Sequence, residues 1–255
     1  MPIPSNGAGF FPAARSDYDA FAPIYNRWMA EDFCRRALPV LDRLVLSILQ
    51  PQARLLDVCC GSGQVAHALS TRGFCVTGID ASGEMLRLAR QNAPGTEFIR
   101  ANATNFCLPE RFDAALSTFN SLAHFSTIAE LTQVFRNIHS ALLPGAPFVF
   151  DITMEEAYVS KWHGFFALVA DDHACIVEPS YDDEARIGTN RIVIFERTDS
   201  SLFRRSQFTI DQKCHSEGDV RDALTSAGFN EIRTFDAQRD LGMAGETGRM
   251  FFVCH

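Results

Sequence analysis

The 255-residue chain has no Cys-x-x-Cys pair, no dense run of lysine and arginine, and no apolar stretch near the roughly 18 residues a membrane helix requires. Each absence removes a class of protein. The eight cysteines, Cys34, Cys59, Cys60, Cys75, Cys107, Cys175, Cys214 and Cys254, lack metal-binding spacing, and several sit in apolar runs where a thiol packs as a small hydrophobe. No metal site is expected. A formal net charge of −8 opposes a polyanionic partner, because phosphate backbones are gripped by excess cationic side chains. Nucleic acid is therefore not an expected substrate, and no membrane partner is expected either. Met1 to Arg15 lacks the basic start and apolar core of a signal peptide. A reduced, cytoplasmic protein is the expectation. Neither internal repeats nor low-complexity segments occur.

What is present is a globular balance, 47% hydrophobic and 21% charged, in a length that suits one α/β domain with an insertion or a small cap. Residues 1–16 are rich in Pro, Gly, Ala and Ser and read as a loose arm. From Tyr18 to Met29 apolar and aromatic residues recur at helical spacing, interrupted by Pro23; a second helix is expected over Phe33–Leu49. Short apolar runs then alternate with amphipathic stretches. Strands are expected at 54–59, 75–80, 96–100, 112–117 and 147–152, with helices at 64–71, 83–92 and 127–143. Such alternation predicts a parallel sheet with helices on both faces, and such sheets hold ligands at the carboxyl ends of their strands.

After about Phe165 the helical period disappears. Three antiparallel strands are expected at 173–181, 186–197 and 202–213, with Val193, Phe195, Phe203, Phe208 and Ile210 on the buried side. A helix at 217–227, closed by Gly228, and strands near 229–236 and 249–254 finish the chain. The implied parts are an N-terminal arm with lid helices (1–50), a ligand-binding core (51–160), a β insertion (161–215) and the end of the core sheet (216–255).

The most informative segment is Leu55-Leu56-Asp57-Val58-Cys59-Cys60-Gly61-Ser62-Gly63-Gln64, a strand entering a glycine turn and then a helix. Glycine lets backbone approach a ligand and accepts positive φ, and the helix that follows presents free N–H groups. The next strand ends at Asp80, an acid able to accept both hydroxyl hydrogens of a ribose. Gly61-Ser62-Gly63-Gln64-Val65-Ala66 also fits the G-x-G-x-x-A of nicotinamide dinucleotide sites. Asp57 argues against that reading, since an acid before the turn crowds a doubly charged pyrophosphate. It suits a sulfonium cofactor that carries an ammonium group.

Leu56–Gly63 resembles motif I of class I methyltransferases. Gly78–Leu86 resembles their second motif, and Ala101-Asn102-Ala103 stands where the family has Gly-Asp-Ala. Phe112–Ser117 and Leu143–Asp151 are similar to their fourth and fifth strands, so five segments follow family order over about 100 residues. Tyr18–Trp28, the β insertion and the ending Gly248–Val253 resemble a small-molecule subgroup that includes N-methyltransferases of deoxyamino sugars.

The resemblance implies a Rossmann-like seven-stranded sheet of order 3-2-1-4-5-7-6, its last strand antiparallel. It implies S-adenosylmethionine as cofactor and S-adenosylhomocysteine as product. Asp57, Gly61 and Gly63 would meet the methionine end, Asp80 the ribose hydroxyls, and Met85 the adenine ring, with Cys59 and Ala81 also in the cofactor-binding set. Asn102 and Ala103 would meet the adenine edge, and Ser117 closes the cofactor set at the end of the fourth strand. Cys59 and Asn102 depart from the family pattern, the second still able to accept from the adenine amino group.

Methyl transfer chiefly needs donor and acceptor aligned, and a protonated amine or hydroxyl acceptor also needs a base. His124 follows the fourth strand and is the candidate base; Tyr18 and Tyr25 on the lid helix are further candidates. His163, His173 and His215 read as fold or surface residues. The [DN]-P-P-[YFW] tetrapeptide of enzymes that methylate planar nitrogens is absent after the fourth strand, which disfavours adenine or glutamine as acceptor. A small-molecule N or O nucleophile is expected, and the exposed insertion could form a homodimer contact. A cofactor-binding protein without transfer activity remains open. So does a nicotinamide oxidoreductase, although no Tyr-x-x-x-Lys pair supports it.

Overall fold

The computed structural model describes residues 17–108, 111–199 and 202–255; the arm expected over residues 1–16 lies outside them. A 3-10 turn at Asp17–Asp19 leads into α1 (Ala22–Trp28) and α2 (Ala30–Leu44). The core then runs β1 (Arg54–Val58), α3 (Gln64–Ser70), β2 (Cys75–Asp80), α4 (Gly83–Asn92), β3 (Glu97–Arg100), β4 (Ala114–Ser117), α5 (Ile128–Ala141) and β5 (Phe148–Thr153). Helix α6 (Glu155–Lys161) precedes β6 (Phe166–Val169), β7 (His173–Asp182), β8 (Ile187–Asp199) and β9 (Leu202–Lys213). Helix α7 (Glu217–Ala227), β10 (Arg233–Asp236) and β11 (Arg249–Cys254) close the chain.

Seven strands form one sheet in the order β10-β11-β5-β4-β1-β2-β3. Strand β11 runs antiparallel to both neighbours while the β1–β5 pairings are all parallel. This is the expected seven-stranded order, with β10 and β11 as its sixth and seventh strands. The pattern follows from strands that bury both faces. Leu56 and Val58 point with Leu131, Phe135 and Leu224 into one layer, and Leu55 points with Leu41, Leu69 and Leu86 into the other.

Local chemistry sets the helix ends. Thr127 and Glu130 form a reciprocal capping box on α5, Ser82 caps α4, and Gly228 closes α7 at φ 107°. The stretch from Tyr18 is divided as Pro23 suggested, into the 3-10 turn and α1, and Pro23 sits in the first turn of α1, where its missing N–H costs nothing. Helix α2 ends earlier than expected, at Leu44, and a 3-10 turn at Leu46–Ile48 fills the rest.

The insertion is a separate antiparallel sheet in the order β6-β7-β8-β9, one strand more than expected. Its buried face also differs. Ile192 and Ile194 are buried with Cys175, Val177 and Ile210 against Phe21 and Ile24 of the N-terminal segment, whereas Val193 and Phe195 are half-buried and Phe203 is exposed. Ile192-Val193-Ile194-Phe195 is apolar on both faces, so alternation alone could not orient it. Phe208 and Ile210 do face inward.

Candidate active site

The turn after β1 alternates left-handed residues, with φ of 58° at Cys59, 55° at Gly61 and 82° at Gly63. Glycine accepts this geometry freely and cysteine does not, so Cys59 holds a strained conformation where the family pattern has a small residue. At Gly63 a Cβ would lie 2.9 Å from the Ala89 Cβ. Gly63 therefore permits α3 to pack on α4. The turn is tied to β2 by Cys60 N–H donating to the Ile79 carbonyl (3.0 Å) and Gly61 N–H donating to Asp80 Oδ2 (2.9 Å). Ser82 N–H donates to Asp80 Oδ1 (2.8 Å). Burial raises the Asp80 carboxyl above its ordinary range, and these backbone donors pull the other way.

Above this floor lies a cavity of about 200 Å³. Cys59, Gly61, Asp80, Ala81, Met85, Asn102 and Ala103, all named from sequence for the cofactor, line it together with Tyr18, Tyr25 and His124. Asp57, Gly63 and Ser117 do not. Asp57 faces a neighbouring pocket of about 20 Å³ bounded by Tyr25, Phe33, Gln64 and Thr118. Ser117 is fully buried beneath the floor. The cavity also contains Ile79, Ala101, Phe119, Ser121 and Phe125, which sequence reading did not single out; their signal was only position, just after strand ends.

Among the described residues two buried side-chain atoms have no hydrogen-bond partner, Asp57 Oδ2 and Ser117 Oγ. A buried acceptor left unmet is costly, which marks the Asp57 pocket as a place for a donor from outside the protein chain. Burial, and secondarily the Asp80 charge, push the Asp57 carboxyl up to about 7. The same causes hold the Cys59 thiol far above its ordinary value, so it stays protonated and inert. Asn102 departs from expectation in detail. Its Oδ1 accepts from Thr104 N–H (3.0 Å) and Oγ1–H (2.9 Å), which leaves its amide N–H₂ as the group available to a ligand.

The roof is the N-terminal segment. Asp19 Oδ1 accepts from Ser82 Oγ–H (2.6 Å), and Asn26 Oδ1 accepts from Gln64 Nε2 (2.8 Å) and Asn92 Nδ2 (2.7 Å). Arg27 pairs with Asp172, and Trp28 Nε1–H donates to His173 Nε2 (2.8 Å), binding α1 to the insertion. The Tyr25 ring lies on Gly61, whose added Cβ would sit 3.4 Å from Cε1, and packs against Phe119 at 5.6 Å between centroids. Among the histidines read as fold residues, His173 joins the lid and His215 Nε2 bonds the Phe125 carbonyl (2.8 Å).

His124 ends a 3-10 turn, Ser121–His124, after β4. Its Nδ1 lies 3.0 Å from the Asp211 carbonyl oxygen and its Nε2 lies 2.8 Å from the Tyr18 hydroxyl. A carbonyl only accepts, so Nδ1 carries the proton and Nε2 takes the Tyr18 hydrogen. Burial pulls the imidazole below its ordinary 6.5 while the Asp211 bond opposes that; burial and nearby Asp80 hold the Tyr18 phenol well above its ordinary value. The pair is neutral and held in one orientation at the cavity wall.

Residues 55–145 match the family described as Methyltransferase domain. A dTDP-3-amino-3,6-dideoxy-alpha-D-glucopyranose N,N-dimethyltransferase of Streptomyces fradiae is 31% identical over 51% of this chain and 52% of its own. The structure of S-adenosylmethionine-bound CalS10, an amino pentose methyltransferase from Micromonospora echinaspora, aligns with a TM-score of 0.72 at 22% identity, covering 92% and 95% of the two chains. The sugar N-methyltransferase KedS8 from Streptoalloteichus sp ATCC 53650 aligns at 0.74 and 20%, covering 100% and 98%.

Proposed function

With an S-adenosylmethionine-dependent methyltransferase domain as the premise, we propose that this chain methylates a nitrogen or oxygen nucleophile of a small molecule, with Tyr18 and His124 receiving the proton. The observation that carries the reading is the Tyr18–His124–Asp211 chain of hydrogen bonds on the wall of the cavity that also contains Asp80. The chemistry of the site suits the cofactor. Asp80 offers carboxylate oxygens to ribose hydroxyls, Met85 an apolar face to adenine, and Asp57 an unmet acceptor to an ammonium group.

When bound, the cofactor supplies an electrophilic methyl group on a positively charged sulfur. The residues of this chain align the acceptor and take its proton. Tyr18 Oη accepts that proton as its own hydrogen passes to His124 Nε2, and the Asp211 carbonyl stabilises the imidazolium through Nδ1–H. A phenol with so high a pKa does not wait as phenolate, so both transfers occur together. Tyr25 covers the glycine turn and acts as a wall rather than a proton acceptor.

Amino sugars named for the relatives support an amine acceptor, and β9 of the insertion bears on the site through the Asp211 carbonyl that holds His124. The outer face of the insertion sheet exposes Val169, Ile176 and Phe203 and is the expected homodimer contact. Among the described residues no helix is long and apolar enough to cross a membrane, and the eight cysteines are free thiols. The test is turnover with a panel of small amines and alcohols, read as a one-methyl mass gain that depends on S-adenosylmethionine. Binding of the cofactor without a mass gain on any acceptor would favour a non-catalytic cofactor-binding role.

A further inference from the structure

We infer that Gln212 is a positioning residue for the His124–Tyr18 pair, acting through the carbonyl of its chain neighbour Asp211; the inference rests on the proton-accepting role proposed above. Strand β9 is the edge of its sheet, paired with β8 on one side only. Its outward carbonyls therefore lack strand partners, and the one at Asp211 holds His124 Nδ1. Nothing in the insertion sheet itself fixes how far that edge stands from the 121–124 turn. Gln212 supplies the tie within the strand, next to Asp211 itself, while His215, two residues past the strand, ties the chain to the Phe125 carbonyl (2.8 Å).

Gln212 Oε1 accepts from Asn120 Nδ2 (2.8 Å) and from the Tyr158 hydroxyl (3.3 Å). Both donors belong to the core. Asn120 begins the turn that ends at His124, and its own Oδ1 accepts from Thr153 N–H on β5 (2.7 Å) while its N–H donates to Asp151 (2.9 Å). Tyr158 on α6 is fully buried and lies over Gly188, the β8 partner of Gln212, where a Cβ would come within 2.6 Å of its ring. The joint thus closes a short loop: His124 to Asp211, one peptide to Gln212, across to Asn120, and four residues back to His124. A shift of β9 would lengthen the Nδ1 bond and free the imidazole to take either tautomer.

The titratable groups facing His124 are Tyr18 from the lid and Asp211 from β9, with Asp80 acting on Tyr18 from across the cavity. Gln212→Met removes the acceptor at similar length, and Gln212→Glu keeps it. Gln212→Met is expected to lower kcat about ten- to hundredfold, the scale of a misplaced catalytic group. Cofactor affinity should stay as in the wild type, and the acidic limb of the pH–rate profile should move. Gln212→Glu should restore kcat and the acidic limb, again with wild-type cofactor affinity. Long-range ¹H–¹⁵N correlation of His124 gives a readout independent of turnover: Nδ1–H alone in the wild type and Gln212→Glu, a mixture of tautomers in Gln212→Met.

A Gln212→Met protein that keeps the pure Nδ1–H tautomer overturns the inference, whether its kcat is unchanged or falls together with cofactor affinity. Failure of the underlying reading looks different, because His124→Ala would then turn over normally while the tautomer of His124 still answered to residue 212.

Discussion

The Tyr18 hydroxyl and the His124 imidazole, 106 residues apart in sequence, meet at 2.8 Å with their rings edge-on and 5.1 Å between centroids. One residue comes from the N-terminal segment and the other from the turn after β4, so the pair exists only where these two segments pack together. His124→Ala should lower kcat by about 10² to 10⁴, the usual worth of a positioned base, with cofactor affinity retained. Tyr18→Phe should act in the same direction and, combined with His124→Ala, add little, because the two form one relay. Steady-state kinetics of the single and double variants decide it; strictly additive losses would mean that the two residues act separately.

The role proposed for Asp57 predicts pH-dependent cofactor binding. Its carboxyl, raised by burial to about 7 from the 3.8 of an unfolded chain, favours the protonated form in the empty protein. A bound ammonium group favours the ionised form instead. Cofactor affinity should therefore climb as pH rises from 6 to 8, with a proton released on binding. Asp57→Asn should bind more weakly and lose that dependence. Titration calorimetry in two buffers of different ionisation heat measures the proton directly; an equal heat in both would remove Asp57 from the ammonium site. The sign for stability runs the other way. The contribution of a group with raised pKa is fully present below the unfolded value and is lost as pH rises through the folded one, so the empty wild type should lose Tm between pH 4 and 7 more steeply than Asp57→Asn.

What was readable beforehand follows how local each signal is. Asp57, Gly61, Gly63 and Asp80 belong to a strand–turn–helix and the end of the next strand, where conformation and chemistry are written in adjacent residues. His124 could be nominated because it follows β4 by a few residues. Asp19, Asn26, Asp211 and Gln212 reach the site through contacts between distant segments, and no spacing rule marks them. Asp151 was visible only as a strand residue, although it accepts both N–H groups of the left-handed pair Phe119 and Asn120. The face of β8 was misjudged for a different reason: four consecutive apolar side chains carry no period.

Gly63→Ala tests the turn itself. The new Cβ would press on Ala89, and the residue would have to hold φ of 82°. Overpacking together with left-handed strain should cost about 1–3 kcal/mol, seen as a lowered Tm and a weakened cofactor site. Gly73→Ala has φ of 90° but open space around its Cβ, so it should cost only the backbone strain. Equal losses in the two variants would show that strain, not the packing of α3 on α4, is what Gly63 relieves.

The last expectation concerns Asp151 and Arg249, a fully buried carboxylate bonded to a guanidinium that is 11% exposed and lies over the Phe33 and Phe119 rings at 5.1 and 5.9 Å. Asp151→Ala would leave Arg249 without that partner, with Glu246 still beside it, and would strip the acceptor from two left-handed residues at once. Breaking a buried pair from one side costs about 3–5 kcal/mol, because the surviving charge stays desolvated. Removing both charges avoids that term, so Asp151→Ala with Arg249→Met should recover part of the lost stability. It should not recover turnover, since the Phe119 and Asn120 N–H groups still lack their acceptor and the 121–124 turn is still unanchored. Denaturant unfolding and kcat measured on the same three proteins separate the two effects. If the double variant regains activity along with stability, the carboxylate serves the fold alone and the turn that presents His124 is held by something else.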